Sequence, residues 1–217
     1  MNSTYAPLYL GSAGQLQEAP PQPSLVQWLA DPADPIPTLG GNVLMLPECG
    51  PQDQRPVQAP HAAHMASFST APLAGPLIIH GEVLADVVLS STAPDTDVMV
   101  KLVDVYPTGE TMLLVDGALR MRGRGGLYAT EFEAPLQPQR AYTASVSLGW
   151  FSYVVSPGHG LRVDVSSSNF PRFSVNPNTG QPMTQNSTAP AVATNTLHLG
   201  TSALRLPLFD FASLQRL

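Results

Sequence analysis

The sequence is short of charge, of cysteine and of long apolar runs, and each shortage removes a class of function. Only 12% of the residues are charged, about half the usual ~25%, and the net charge is −6. A mildly acidic surface does not neutralise phosphates and release their counterions, so no nucleic-acid partner is expected. One cysteine, Cys49, excludes an intrachain disulfide, and nothing in the composition demands an oxidising compartment. No apolar run approaches the ~18 residues of a membrane span. The best stretch, Leu77 to Leu89, is interrupted by His80, Glu82 and Asp86, so no membrane partner is expected. The amino terminus lacks the basic n-region of a signal peptide, which makes the cytoplasm the default compartment.

Helix and recognisable chemistry are scarce as well. No long window carries an amphipathic 3.6 period free of proline and glycine. No G-x-S-x-G elbow is present, so a serine nucleophile of the α/β-hydrolase type has no platform. His61 and His64 form an H-x-x-H, but a zinc site needs at least one further ligand, and the prolines and alanines around them read as a loop. Cys49 has no paired histidine to lower its pKa and reads as a small buried hydrophobe. Neither a metal nor a cofactor is expected.

What the chain does have is proline and period-two strands. It holds 23 prolines among 217 residues, roughly twice the average usage of ~5%. Many fall in residues 1–60, where each removes a donor and biases its predecessor to extended geometry. That region reads as an extended strap with short strands near Leu8 to Leu10 and Val43 to Leu46, and residues 61–217 read as the body of one domain. Leu25, Val26, Trp28 and Leu29 in the strap need somewhere to be buried.

From Ile79 to Leu89 the odd positions are apolar or glycine, while the even ones carry His80, Glu82 and Asp86. This is a half-buried strand with one wet face. Tyr142 to Leu148 and Leu161 to Val165 alternate in the same way, which places Val83, Val87, Val146, Leu148, Val163 and Val165 inside. Trp150, in an apolar run from Leu148 to Val155, reads as core. Tyr106-Pro107-Thr108-Gly109-Glu110 reads as a hairpin turn. Val98 to Val105 is apolar on both faces: either it is an inner strand of the sandwich covered by the strap, or its outer face meets another domain. About ten short strands joined by turns predict an all-β jelly-roll β-sandwich of the galactose-binding-like kind.

Two polar clusters stand out. Asp95 and Asp97 open the doubly apolar strand. Arg120, Arg122 and Arg124 recur at spacing two, so on one strand they would share a side. They could form an anion site, or they could pair with Asp95, Asp97 or Asp116 in fork-to-carboxylate geometry; the pairing is the favoured reading.

Several motifs occur together in order: ADPADPIPTLGG at residues 30–41, GPQDQRP at 50–56, LSSTAPDTDVMVKLVDVYPTGE at 89–110, DGALRMRGR at 116–124, PGHGLRVDVSSSNFPRFSVNPNTG at 157–180, and a late His198. In this order and spacing they resemble the carboxy-terminal domain of the X-Pro dipeptidyl-peptidase and cocaine esterase family of serine hydrolases. The resemblance implies a non-catalytic jelly roll that follows an α/β-hydrolase domain and a helical cap. The catalytic triad belongs to that hydrolase domain, and the jelly roll packs on it in cis or in trans. It also implies that the segment after Gly40-Gly41, with Leu44 and Met45, contributes apolar side chains to the acyl pocket. Alternatively the same apolar segment mediates self-association. Asn169-Phe170-Pro171 then reads as a structural device. Pro171 ends ladder pairing, Phe170 and Phe173 anchor the exit to the core, and the asparagines close tight turns. A free-standing jelly roll that binds carbohydrate or protein is the alternative function, and it would need exposed aromatics.

Overall fold

The computed structural model describes residues 4–42, 49–125, 133–181 and 189–209. Leu44 and Met45 lie outside them. The elements are β1 (Thr4–Gly11), β2 (Gln15–Gln17), β3 (Leu25–Ala30), α1 (Arg55–Gln58), β4 (Met65–Ser69), β5 (Leu77–Ser91), β6 (Asp97–Val105), β7 (Thr111–Arg120), β8 (Tyr142–Val155), β9 (Gly160–Ser166), β10 (Ala193–His198) and β11 (Ala203–Leu208). Among the described residues α1 is the only α-helix, a single turn with Pro56 in its first positions.

The hydrogen-bonded order is β3-β10-β5-β11-β1-β2-β4-β9-β6-β7, with β8 on the other edge of β5. The link between β2 and β4 is one parallel bridge, Gln15 to Ser69, and there the ladder folds over itself into the two layers of a sandwich. One layer is built on β5 and the other on β6 and β9. Val83, Val87, Val146, Leu148, Val163 and Val165 are all buried between them, as the alternation predicts. The strands of residues 4–30 belong to the sheet: β1 pairs with β11, and β3 pairs with β10. Trp28 is buried and donates its indole N–H to Ser167 Oγ at 3.0 Å, whereas Leu25 and Leu29, expected to need burial, face outward.

One irregularity reverses a sequence expectation. The β5–β8 register runs Leu84 to Ser147 and then Val83 to Gly149, so Leu148 is an extra residue on β8. Gly149 takes φ +96°, a conformation open to glycine. The bulge inverts the parity of everything after it. Phe151, Tyr153 and Val155 continue the inner face, and Trp150, which the apolar run from Leu148 to Val155 reads as core, turns outward with 81% of its surface exposed.

Where β7 crosses β8, the two backbones touch. A Cβ on Gly117 would overlap the Ser147 carbonyl oxygen and stand 2.9 Å from its carbon and 3.0 Å from Leu148 Cα. The bulged strand cannot yield without losing its β5 ladder. Gly117→Ala should therefore cost about 1–3 kcal/mol of stability in urea unfolding, with an unchanged denaturant slope. An alanine variant as stable as the parent would show that the two layers slide freely here.

Candidate functional site

β6 is buried along both faces. Val98, Val100 and Leu102 point into the sandwich core. Its other face carries Lys101, the only lysine in the sequence, and it is covered by the segment that follows Gly50. Lys101 Nζ donates to Gln54 Oε1 at 3.1 Å, and Gln54 Nε2 donates to the carbonyls of Leu39 at 2.8 Å and Gln52 at 3.1 Å. The backbone of this arm also extends the sheet: Gln54 N donates to Thr111 O at 2.8 Å, and Leu113 N donates to Gln52 O at 3.0 Å. Asp53 Oδ1 accepts from the Thr111 amide at 3.1 Å and ends the pairing. Pro51 starts the run and Pro56 sits in the first turn of α1, so the chain changes from strand-like to helical within a few residues.

Gln58, at the end of α1, donates to Asp164 of β9, which also accepts from Ser67 Oγ at 2.6 Å and lies 3.2 Å from Arg162 Nε. Burial pushes the Asp164 carboxyl above its ordinary range, against the pull of Arg162 and these donors. Burial likewise pushes the Lys101 ammonium down, opposed by the charges of Asp164 and Asp116. Asp116 in turn holds Arg172 in an ion pair and accepts from Asn169 Nδ2 at 2.9 Å. The arm is thus fastened to the sheet by a row of paired, buried polar groups.

The same arm closes a loop. Gly41 N donates to Gly50 O at 2.7 Å, and Gly50 N donates back to Gly41 O at 3.0 Å. The chain ends that flank residues 42–49 therefore meet at one hydrogen-bonded point. Beside it, Pro37 bridges Phe170, whose amide donates to Ile36 O at 2.9 Å. Phe170 follows Asn169 and precedes Pro171 across a cis peptide bond, and it is 48% exposed, so it is not the core anchor expected of it. The reason is local: its backbone is committed to Ile36 and Thr38, which leaves the ring on the outer surface of the arm. Further along, Asn176 Oδ1 accepts from Asn178 N at 2.9 Å, a side-chain-closed turn that sets Asn178 at φ +60°.

The aspartate and arginine cluster is a second network. Arg120 grips Asp97 with both fork atoms at 2.8 Å, and Asn176 Nδ2 bridges Asp97 at 2.8 Å and Asp95 at 3.1 Å. Burial raises the Asp95 carboxyl, while its hydrogen bond to Asp97 raises the Arg120 guanidinium further. The three arginines do not share a strand face. β7 ends at Arg120, and Arg122 lies in the following 3-10 turn, where its N–H meets Asp95 and its side chain donates to Gly180 O at 2.7 Å. Arg124 donates to Met121 O at 2.9 Å and stacks on Tyr142. With these donors committed to protein oxygens, the row offers no prepared anion cradle.

Several histidine contacts were not legible in the sequence, because the partners are far apart along the chain. His159 Nδ1 donates to buried Asp104 at 2.9 Å, and the Tyr153 hydroxyl donates to the other oxygen at 2.9 Å; burial raises that phenol above its ordinary value. Ser90 Oγ meets His198 Nε2 at 3.0 Å. His61 and His64 each face one oxygen of Asp34 at 3.8 Å. Among the described residues the Ser90–His198 pair has no acid and the Asp104–His159 pair no nucleophile, so neither is a triad. Among the described residues no group of three histidine, cysteine or acidic side chains converges on one metal position. Cys49, expected to be buried, is half-buried. A cavity of about 510 Å³ opens at one end of the sandwich, lined by Leu8, Leu16, Leu73, Leu77 and Leu208, with Glu18 as its charged group.

The described residues form a β-sandwich whose chain closes at Gly41 and Gly50 over a buried polar seat. Comparison with known proteins gives its family. Residues 1–203 match the model of the X-Pro dipeptidyl-peptidase C-terminal non-catalytic domain, and the chain belongs to that family. It is 37% identical over 190 residues to the cocaine esterase of Rhodococcus sp. (strain MB1 Bresler), covering 82% of this chain and 32% of that protein. Its fold overlays an α-amino acid ester hydrolase with a TM-score of 0.83 and 27% identity, over 95% of this chain and 36% of that one. An aminopeptidase from a marine sediment Thaumarchaeota archaeon overlays with a TM-score of 0.81 at 24% identity, over 95% of this chain and 37% of that one, a likeness of fold. The chain therefore spans about a third of the length of these relatives.

Gln54→Ala tests the seat. It removes the hydrogen bonds that Gln54 makes to the Lys101 ammonium and the Leu39 carbonyl, and a buried polar group left without its hydrogen bond costs about 1–3 kcal/mol. The expected result is a loss of about 2–4 kcal/mol in chemical unfolding, accompanied by faster amide exchange at Gly41 and Gly50. A loss under about 0.5 kcal/mol, the ordinary effect of a surface change, would mean that the arm is held by something else.

Proposed function

We propose that this chain is the accessory jelly roll of a serine hydrolase acting on ester or peptide bonds, and that it docks on an α/β-hydrolase domain with its arm-bearing side. In this reading residues 42–49 are the part that reaches the hydrolase, and Leu44 and Met45 line the acyl pocket. The observation that carries the reading is the closure of this loop at Gly41 and Gly50, directly above a seat of buried, paired side chains. A loop that must meet another domain's pocket gains from a base that does not move, because misplacement of about 1 Å costs rate. Half-exposed Phe170 at the foot of the loop extends the docking side. The covered fraction of the relatives, about a third, leaves room in them for hydrolase and cap. The self-association read from the Gly-Gly segment is then unnecessary at that surface, since the hydrolase would cover it.

The experiment is a chimera. The chain replaces the last third of the Rhodococcus cocaine esterase, behind that enzyme's own hydrolase and cap domains. The chimera should hydrolyse an activated ester. Leu44→Asp with Met45→Asp should lower kcat/KM by about tenfold or more while leaving the melting temperature within a few degrees. The isolated chain should show no turnover sensitive to a serine-directed inhibitor. Unchanged kinetics in the double variant would remove the pocket role, and inhibitor-sensitive turnover by the isolated chain would remove the accessory reading altogether.

A further inference from the structure

The cavity of about 510 Å³ lies between the two layers of the sandwich, not on the face of β6 that the arm covers, and its volume is that of a small-molecule pocket. Leu161 and Leu206 in its lining belong to the buried core. Leu8, Leu73, Leu77 and Leu208 pack against that core and are only partly buried. The apolar interior therefore runs out to solvent through this opening. A recess of this kind is unfavourable when it stands empty in water, and a fold ordinarily collapses onto it.

Here the walls are held apart by backbone hydrogen bonds. One wall is β1, which is paired on both edges: Ala6 lies opposite Leu206 of β11, and Leu10 lies opposite Leu16 of β2. The other is the segment of residues 70–74, tied to β9 and the turn before it. Thr70 N donates to Leu161 O at 2.9 Å, Leu161 N donates to Thr70 Oγ1 at 3.0 Å, and Leu73 N donates to His159 O at 2.7 Å. Pro7 and Pro72 stiffen the two walls further. An apolar hole fixed in this way stays dry or takes an apolar guest. No aromatic ring lines it, so nothing there stacks a flat ligand, and leucine walls suit a flexible aliphatic chain.

The charge at the opening selects the head of that chain. Glu18 is the only charged residue of the lining. It is exposed, and no basic side chain among the described residues pairs with it. We propose that the cavity is a binding site for an aliphatic ammonium, whose alkyl tail lies among the leucines and whose head stays in water beside the Glu18 carboxylate. A fatty carboxylate of the same length would meet like charge at the opening, in a chain whose net charge is already −6. The site lies apart from the arm, so it does not rest on the docking of a hydrolase domain.

The test is a titration of the purified chain with octylammonium chloride, kept below its micelle concentration and followed by amide chemical shifts. Saturable shifts should fall on the walls, at Leu8, Leu73, Leu77 and Leu161. Binding should tighten about fourfold with each methylene from butylammonium to octylammonium, the factor for burying one methylene. Octanol should bind about fivefold more weakly than octylammonium, the worth of a close charge pair in water, and octanoate more weakly still. Glu18→Gln, at an exposed position, should bring octylammonium down to the affinity of octanol and leave octanol unchanged. Three results in the unmodified chain overturn the proposal: no saturable shift on these walls, an affinity independent of chain length, or octanol bound as tightly as octylammonium. An octylammonium affinity that Glu18→Gln leaves unchanged overturns it as well.

Discussion

The arrangement depends on one buried ammonium. Lys101 sits in the middle of β6, on the face turned away from the core, where an apolar residue would continue the pattern. A lysine taken out of water without partners is among the most unfavourable things a fold can contain. It is tolerable here because the arm covers it with the Gln54 amide, and because Asp164 and Asp116 supply opposite charge. The dependence runs both ways. Without the arm, β6 would show water a charged residue among apolar neighbours such as Met99 and Val103. Without Lys101, the Gln54 side chain would lose the donor that orients it toward the Leu39 carbonyl. A polar seat of this kind is not the most stabilising way to join two segments, since well-packed apolar residues often do as well. What it adds is a single geometry, because the Gln54 amide bonds Lys101 with its oxygen and Leu39 with its nitrogen only in one pose.

Much of the fold was legible in the sequence, because a period of two states which face of each strand is wet. Val83, Val87, Val146 and Leu148 were assigned inward from alternation alone, and the sandwich closes over them. The alternation failed where the ladder does. At Gly149 one extra residue flips the parity, so Trp150, which its apolar run reads as core, stands outward while Phe151 takes the inner face. Periodicity cannot announce a bulge, although a lone glycine inside a strand pattern is its usual mark. Arg120 and Arg122 show a second failure of the same sort. Spacing two implied a shared strand face, but the strand stops between them.

The candidate site was less legible, and for a different reason. Its parts come from segments that are remote in the chain, and Gln54, Lys101, Asp116, Asp164 and Arg172 carry no local pattern that links them. One signal was available: a single lysine, within the strand that reads as apolar on both faces. A charged residue at such a position requires a cover, which fits the reading that the proline-rich strap lies over this strand. Phe170 was misread because an aromatic after a strand is ordinarily an anchor, whereas its backbone is held by Ile36 and Thr38 and its ring is left outside. The histidine pairs with Asp104 and Ser90 caution against reading activity from proximity, since among the described residues each lacks the third group that would make it a catalytic device.

The hydrogen-bonded closure at Gly41 and Gly50 is expected to be as firmly held as the sheet beneath it. Native-state hydrogen exchange of the amides of Gly41, Gly50 and Gln54 tests this most directly. If the arm is seated as described, these three amides open only with global unfolding, and their exchange free energies equal those of the central β6 amides across a denaturant series. Exchange at Gly41 and Gly50 through local opening, insensitive to denaturant and orders of magnitude faster than in β6, would contradict the account.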